Sequence, residues 1–154
     1  MSNIPINILY VDDEIHNLTA FQATFRRVFN VYLAESAKDG LSILKKEDIH
    51  IIITDQRMPG MTGIEFLASI LIDYPDPIRF LLTGYSDLNA VIDAINVGQV
   101  YLYATKPWME EELKNNIIRA FEVFSLRKEN KVLNDQLSIV NGQLEFMLTQ
   151  KLLS

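Results

Sequence analysis

Two hydrophobic periods alternate along this 154-residue chain, and that alternation restricts the fold more than any other feature. Five short apolar, β-branched runs, at residues 6–11, 31–34, 49–54, 78–83 and 100–105, are nearly uninterrupted, as strands covered on both faces must be. Between them apolar residues recur at helical spacing: Ile15, Leu18, Phe21, Phe25 and Val28; Ala37, Leu41 and Leu44; Leu67, Ile70, Leu71 and Tyr74; Leu88, Val91, Ile92 and Ile95. Strand–helix repetition of this kind predicts right-handed crossovers and a doubly wound α/β domain, a five-stranded parallel sheet with helices on both faces. Ligands in that class bind beyond the carboxyl ends of the strands, so functional residues are expected there.

From Met109 the pattern changes to one extended C-terminal helix. Glu110, Glu111 and Glu112 favour its N-terminal dipole, and no proline follows. Val123, Leu126, Leu133, Leu137, Val140, Leu144 and Met147 follow a heptad in which Asn130 fills an a position, the pattern of a coiled coil. The alternative is an amphipathic helix folded back on the domain. The expected division is a domain over residues 1–124 and a coiled-coil or dimerisation helix over 125–154, leading to an output module outside this chain.

Charge and composition narrow the function. The net charge is −6, most of the excess acid lies before Trp108, and no basic cluster could neutralise several phosphates, which argues against direct nucleic-acid binding. Zero cysteines exclude disulfides, thiolate metal sites and a cysteine nucleophile. No segment is apolar for long enough to span a bilayer and the N-terminus lacks a signal sequence, so the expected location is cytoplasmic. Neither a G-x-G-x-x-G nor a G-x-x-x-x-G-K turn follows a strand, which leaves a dinucleotide or nucleotide binder without its phosphate cradle.

The acid concentrates at the predicted strand ends. Asp12 and Asp13 follow the first strand, Asp55 ends the third, Thr83 ends the fourth and Lys106 follows the fifth. Three converging carboxylates repel one another unless they hold a hard divalent cation or lie near a fixed ammonium, and Mg2+ suits such a set because it accepts one or two protein carboxylates and phosphate oxygens. The structural reading, with Asp12 and Asp13 capping a helix and Asp55 in a turn, explains each residue singly but not five on five segments.

The segments Ile8-Leu9-Tyr10-Val11-Asp12-Asp13-Glu14, Thr54-Asp55-Gln56-Arg57-Met58-Pro59-Gly60-Met61-Thr62-Gly63, Leu81-Leu82-Thr83-Gly84 and Lys106-Pro107-Trp108 resemble, in order and spacing, the receiver domains of two-component response regulators across residues 4–124. The resemblance implies a flavodoxin-like fold and a regulatory domain, not a free-standing enzyme, that accepts a phosphoryl group from a histidine kinase or phosphotransfer protein with Mg2+ present. By position, Asp55 resembles the phosphoacceptor. Asp12, Asp13, Asp55 and the backbone carbonyl of Arg57 resemble the metal ligands. Thr83 and Lys106 resemble the hydroxyl and ammonium that contact the phosphoryl group, and Tyr103 the aromatic switch residue. It also implies a cis Lys106-Pro107 bond, whereas X-Pro bonds in general favour trans. Thr62 stands where the family often has aspartate, and Arg57 and Tyr85 are bulky neighbours of the site.

Two further readings compete. A phosphohydrolase with an aspartyl-phosphate intermediate would want a carboxylate two residues after the nucleophile, where Arg57 stands. A dimerisation scaffold with a degenerate receiver would be expected to lose one of the five site residues. His16 and His50 each lack a nearby paired ligand and are read as surface or packing residues. Trp108 is expected to pack at the start of the last helix.

Overall fold

The structure, a computed structural model, describes residues 5–84 and 100–153. The expected helix at Leu88, Val91, Ile92 and Ile95, and Tyr85, lie outside the described residues. The elements are β1 (Asn7–Val11), α1 (Ile15–Phe25), β2 (Asn30–Ala34), α2 (Ala37–Lys46), β3 (Ile51–Asp55), α3 (Gly63–Ser69), β4 (Ile78–Thr83), β5 (Leu102–Thr105) and the C-terminal helix (Glu110–Leu153). All pairings are parallel, in the order β2-β1-β3-β4-β5, which is the doubly wound flavodoxin-like arrangement. β1 and β3 are central, so the acids that follow them meet at one rim.

The near-continuous apolar runs follow from two covered faces. Ile8, Tyr10, Ile51, Ile53, Phe80 and Leu82 pack against Leu18, Phe21 and Phe25 of α1 and Leu113, Ile117 and Phe124 of the C-terminal helix. Leu9, Val11 and Ile52 turn the other way, onto Leu44 of α2 and Phe66 and Leu67 of α3, as the two-residue period of a strand requires.

Helix boundaries follow local chemistry. The Ser36 hydroxyl accepts the Asp39 N–H at 3.1 Å to open α2, and Lys45 and Lys46 close it against the negative end of its dipole. Thr62 and Glu65 form a capping box at the start of α3. Thr62 therefore opens a helix where the resemblance suggested aspartate. Gly60 takes a positive φ of 81° in the turn leading there, a conformation that side-chain-bearing residues avoid.

Three expectations need adjusting. Ile15 is 59% exposed; it begins α1 on the solvent side, and the buried stripe starts at Leu18. α3 stops at Ser69, so Leu71 and Tyr74 fall beyond it. Pro75 follows Tyr74 and disfavours helical backbone at the preceding residue, and the Tyr74 carbonyl instead accepts from Arg79 Nη2. The fold-back alternative for the last helix fails: from Ser125 to Leu153 every residue is exposed.

Candidate functional site

Local packing sets the rim before any charge is considered. Val11 ends β1 with Asp12 directly beyond it, and the Asp12 N–H donates to the Ala34 carbonyl at 3.0 Å. The Asp12 side chain is fully buried. Its Oδ2 accepts from the Tyr10 hydroxyl at 2.8 Å and from Asn17 Nδ2 at 3.0 Å, while its Oδ1 accepts the Glu14 N–H at 3.0 Å. Asp13 is exposed beside it.

Asp55, 5% exposed, closes β3. The loop after it is drawn back tightly, since the Gly63 N–H donates to the Gln56 carbonyl at 3.0 Å and Gln56 Oε1 accepts the Ile64 N–H at 3.0 Å. A Cβ on Gly63 would lie 2.3 Å from the Asp55 carbonyl oxygen, so only glycine fits this approach. Oxygens of Asp12, Asp13 and Asp55 come within 4.8 Å of one another. A set of carboxylate oxygens that close, without sulfur or imidazole, fits a hard cation such as Mg2+.

The counter-charge arrives from β5. The Lys106 N–H donates to the Thr83 carbonyl at 2.9 Å, Lys106-Pro107 is cis, and Trp108 packs against Phe25 and Phe21 at centroid distances of 5.5 and 6.0 Å. The loop is thus held at both ends. Lys106 Nζ lies 2.6 Å from Asp55 Oδ1 and 4.0 Å from Asp12 Oδ2.

Burial pushes the Asp55 carboxyl above its ordinary value; Lys106 pulls it down, and Asp12 and Asp13 push it up again. Burial works against the Lys106 charge, but the hydrogen bond and attraction to Asp55, with Asp12 and Glu14 behind it, outweigh this and hold Lys106 above its ordinary value. The lysine therefore keeps its proton beside a carboxylate whose charge it neutralises. Burial first, then Asp12, pushes the Tyr10 phenol far up, so it remains a donor.

Asp12, Asp13, Asp55 and Lys106 are thus brought together. Thr83 is buried on the adjacent strand end, its hydroxyl 3.4 Å from the Gly84 carbonyl. The Arg57 side chain is exposed in the loop after Asp55. Tyr103 pairs with Leu81, two positions short of the rim, and is 43% exposed at the outer strand. It lines a groove of about 430 Å3 with Met109, Glu112 and Asn116. His50 is structural: its Nδ1 accepts the Asn7 N–H at 2.9 Å and its ring packs on Phe121 and Phe124. Sequence reasoning missed Tyr10, Asn17 and Gln56. Tyr10 was legible in part, since it stands two residues before Asp12 and so shares its face of the strand; nothing in the spacing marked the other two.

A partly buried ammonium against a three-carboxylate rim, at the strand ends of a β2-β1-β3-β4-β5 parallel sheet, defines a class of small α/β signalling domains. The chain belongs to the response regulator receiver domain family, which it matches over residues 8–118. It is 32% identical over 94% of its length to the hydrogenase transcriptional regulatory protein HoxA of Bradyrhizobium diazoefficiens. Against the C4-dicarboxylate transport transcriptional regulatory protein DctD of Rhizobium meliloti it is 34% identical over 86% of its length. The chain spans 30% and 29% of those two relatives. Among solved structures, the signal receiver domain of an HD domain-containing protein from Pseudomonas fluorescens superposes with a TM-score of 0.74 at 32% identity, covering 79% of this chain and 98% of that one. The family is regulatory, and no helix among the described residues is long and apolar enough to cross a membrane.

Proposed function

We propose that this chain is a phosphoryl-accepting switch in which Asp55 takes a phosphoryl group from the phosphohistidine of a histidine kinase or phosphotransfer protein. The observation that carries the reading is Lys106 Nζ at 2.6 Å from Asp55 Oδ1, inside a cluster of three carboxylates. A carboxylate is a weak nucleophile, but phosphoryl transfer depends mainly on in-line placement and on neutralising the equatorial oxygens. An Asp55 oxygen attacks phosphorus as the P–N bond to the donor imidazole breaks. Lys106 leaves its place against Asp55 for a phosphoryl oxygen, and Thr83 donates its hydroxyl to another.

Mg2+ would be held by Asp13, Asp55 and the Arg57 carbonyl, with Asp12 alongside, and when bound it supplies charge neutralisation at the phosphoryl oxygens. Turning Thr83 toward the phosphoryl group favours inward packing of Tyr103, so the outer face of β5 reports the state of Asp55. A ligand shifts such a two-state element only by its differential affinity for the two forms. The parent protein would act in the cytoplasm, and the C-terminal helix would pass the signal to an output module.

The test is acetyl phosphate with intact-mass measurement on wild type, Asp55→Asn and Asp13→Ala, with and without Mg2+. An added phosphoryl mass is expected on wild type with Mg2+, with loss in both variants and without the metal. An equal adduct on Asp55→Asn would refute the assignment.

A further inference from the structure

The two oxygens of the Asp12 carboxylate are not used alike. Oδ2 accepts two hydrogen bonds, from the Tyr10 hydroxyl at 2.8 Å and from Asn17 Nδ2 at 3.0 Å, whereas Oδ1 accepts the Glu14 N–H at 3.0 Å. A carboxylate oxygen offers about two acceptor positions, so Oδ2 is full and Oδ1 keeps one open. Oδ2 is also the oxygen that faces Lys106, 4.0 Å from its Nζ. The ammonium instead lies 2.6 Å from Asp55 Oδ1.

Charge alone does not explain that choice. Asp12 is fully buried and Asp55 is 5% exposed, so the more deeply desolvated acid would be expected to draw the ammonium at least as strongly. The difference lies in the other partners of Asp12. Three donors hold its carboxylate without Lys106, and the oxygen that faces the lysine has no acceptor position left.

Both donors on that oxygen are fixed from outside the site. The Tyr10 ring stacks on Phe21 of α1 with centroids 4.4 Å apart, and Tyr10 stands two residues before Asp12, on the same side of the chain. Asn17 lies in the first turn of α1, its N–H donating to the Glu14 carbonyl at 3.0 Å. Packing on Phe21 asks only for a ring, which phenylalanine would supply. The hydroxyl serves Asp12.

We propose that Tyr10 and Asn17 are positioning residues that fill Oδ2 of Asp12 and so reserve the Lys106 ammonium for Asp55 and, after transfer, for a phosphoryl oxygen. The second half of this inference rests on the reading of Asp55 as the phosphoacceptor. With either donor removed, Oδ2 gains an open acceptor position 4.0 Å from Nζ, and Lys106 moves to bridge Asp12 and Asp55. An ammonium drawn toward Asp12 is held away from the phosphoryl group.

The first measurement is a crystal structure of metal-free Tyr10→Phe, with Asn17→Ala as the second variant should the first fail to fold. Lys106 Nζ is expected to close on Asp12 Oδ2 to about 2.8 Å, the length of a charge-assisted hydrogen bond. An ammonium that stays on Asp55 alone, with water on Asp12 in place of the lost donor, overturns the proposal. The second measurement is the initial rate of acetyl phosphate adduct formation, by intact mass across a Mg2+ series. At saturating Mg2+ the rate should fall about tenfold in either variant, the scale of one charge-assisted contact. The half-saturating Mg2+ concentration should not rise, because Asp13, Asp55 and the Arg57 carbonyl are untouched. An unchanged rate despite a shifted lysine overturns the functional half. In a Lys106→Ala background the same substitutions should slow the reaction no further; an equal loss there makes Tyr10 and Asn17 merely structural and overturns the proposal. Should wild type take no phosphoryl group while Lys106 shifts in the variant, the reservation of the lysine stands and the phosphoacceptor reading falls.

Discussion

Both oxygens of Asp12 are occupied by donors from Tyr10, Asn17 and Glu14, and this bears on how the rim tolerates three acids. A fully buried carboxylate is sustained by hydrogen bonds that compensate for lost solvation. Tyr10→Phe keeps the ring stacked on Phe21 at 4.4 Å and removes only the hydroxyl. It should cost about 2 kcal/mol, the scale of a buried hydrogen bond to a charged group, read as a lower urea midpoint in metal-free buffer. Lys106→Ala removes a cation that competes for Asp55, so Mg2+ should bind several-fold more tightly, by Trp108 fluorescence titration. The same variant should show no response to a beryllofluoride mimic; a normal response would make the lysine merely structural. Gly63→Ala places a methyl where the Asp55 carbonyl already is and should destabilise by about 3 kcal/mol or more, whereas Gly142→Ala, inside the helix with open space around it, should stabilise by about 1 kcal/mol.

At the scale of elements, the junction between sheet and C-terminal helix is organised by His50. Its Nδ1 accepts the Asn7 N–H, a role available only to the neutral ring. Its acidity follows: burial lowers its pKa, Asp48 opposes this and Lys128 adds to it. A histidine with a folded pKa below the unfolded value of about 6.5 takes up fewer protons folded than unfolded. Stability from this group is then fully present above that value and is lost as pH falls through it to the folded value. Wild type should lose more of its urea midpoint than His50→Gln between pH 7.5 and 5.5; equal losses would remove His50 from the account. Trp108 plays the matching part at the other end of the helix, fastening the Lys106 loop to α1 through Phe21 and Phe25.

For the whole molecule, the core is complete at Phe124, the last buried residue of the C-terminal helix. A chain truncated after Leu126 should therefore keep its unfolding midpoint and Asp55 phosphorylation while losing self-association, by urea titration, intact mass and sedimentation. Loss of the adduct on truncation would mean that the exposed helix supports the site. The carboxylate rim at the strand ends and the exposed apolar residues of the C-terminal helix beyond Phe124 occupy separate surfaces.

The sheet, its order of elements and the convergence of Asp12, Asp13, Asp55 and Lys106 were all legible in the chain, because strand and helix periods and short crossovers leave few ways to arrange five parallel strands. The family resemblance narrowed the roles further. What local patterning could not supply was every contact made across distance. Asn17 reaches Asp12 only once α1 has packed on β1, and the Tyr74 carbonyl, beyond the end of α3, is taken by Arg79. Ile15 faces solvent because the helix axis, not residue spacing, decides which apolar positions meet the sheet. Periodicity is a property of neighbours along the chain and was determined by sequence alone; side-chain partners and charge states depend on segments far apart in sequence, so only the packed tertiary structure decided them.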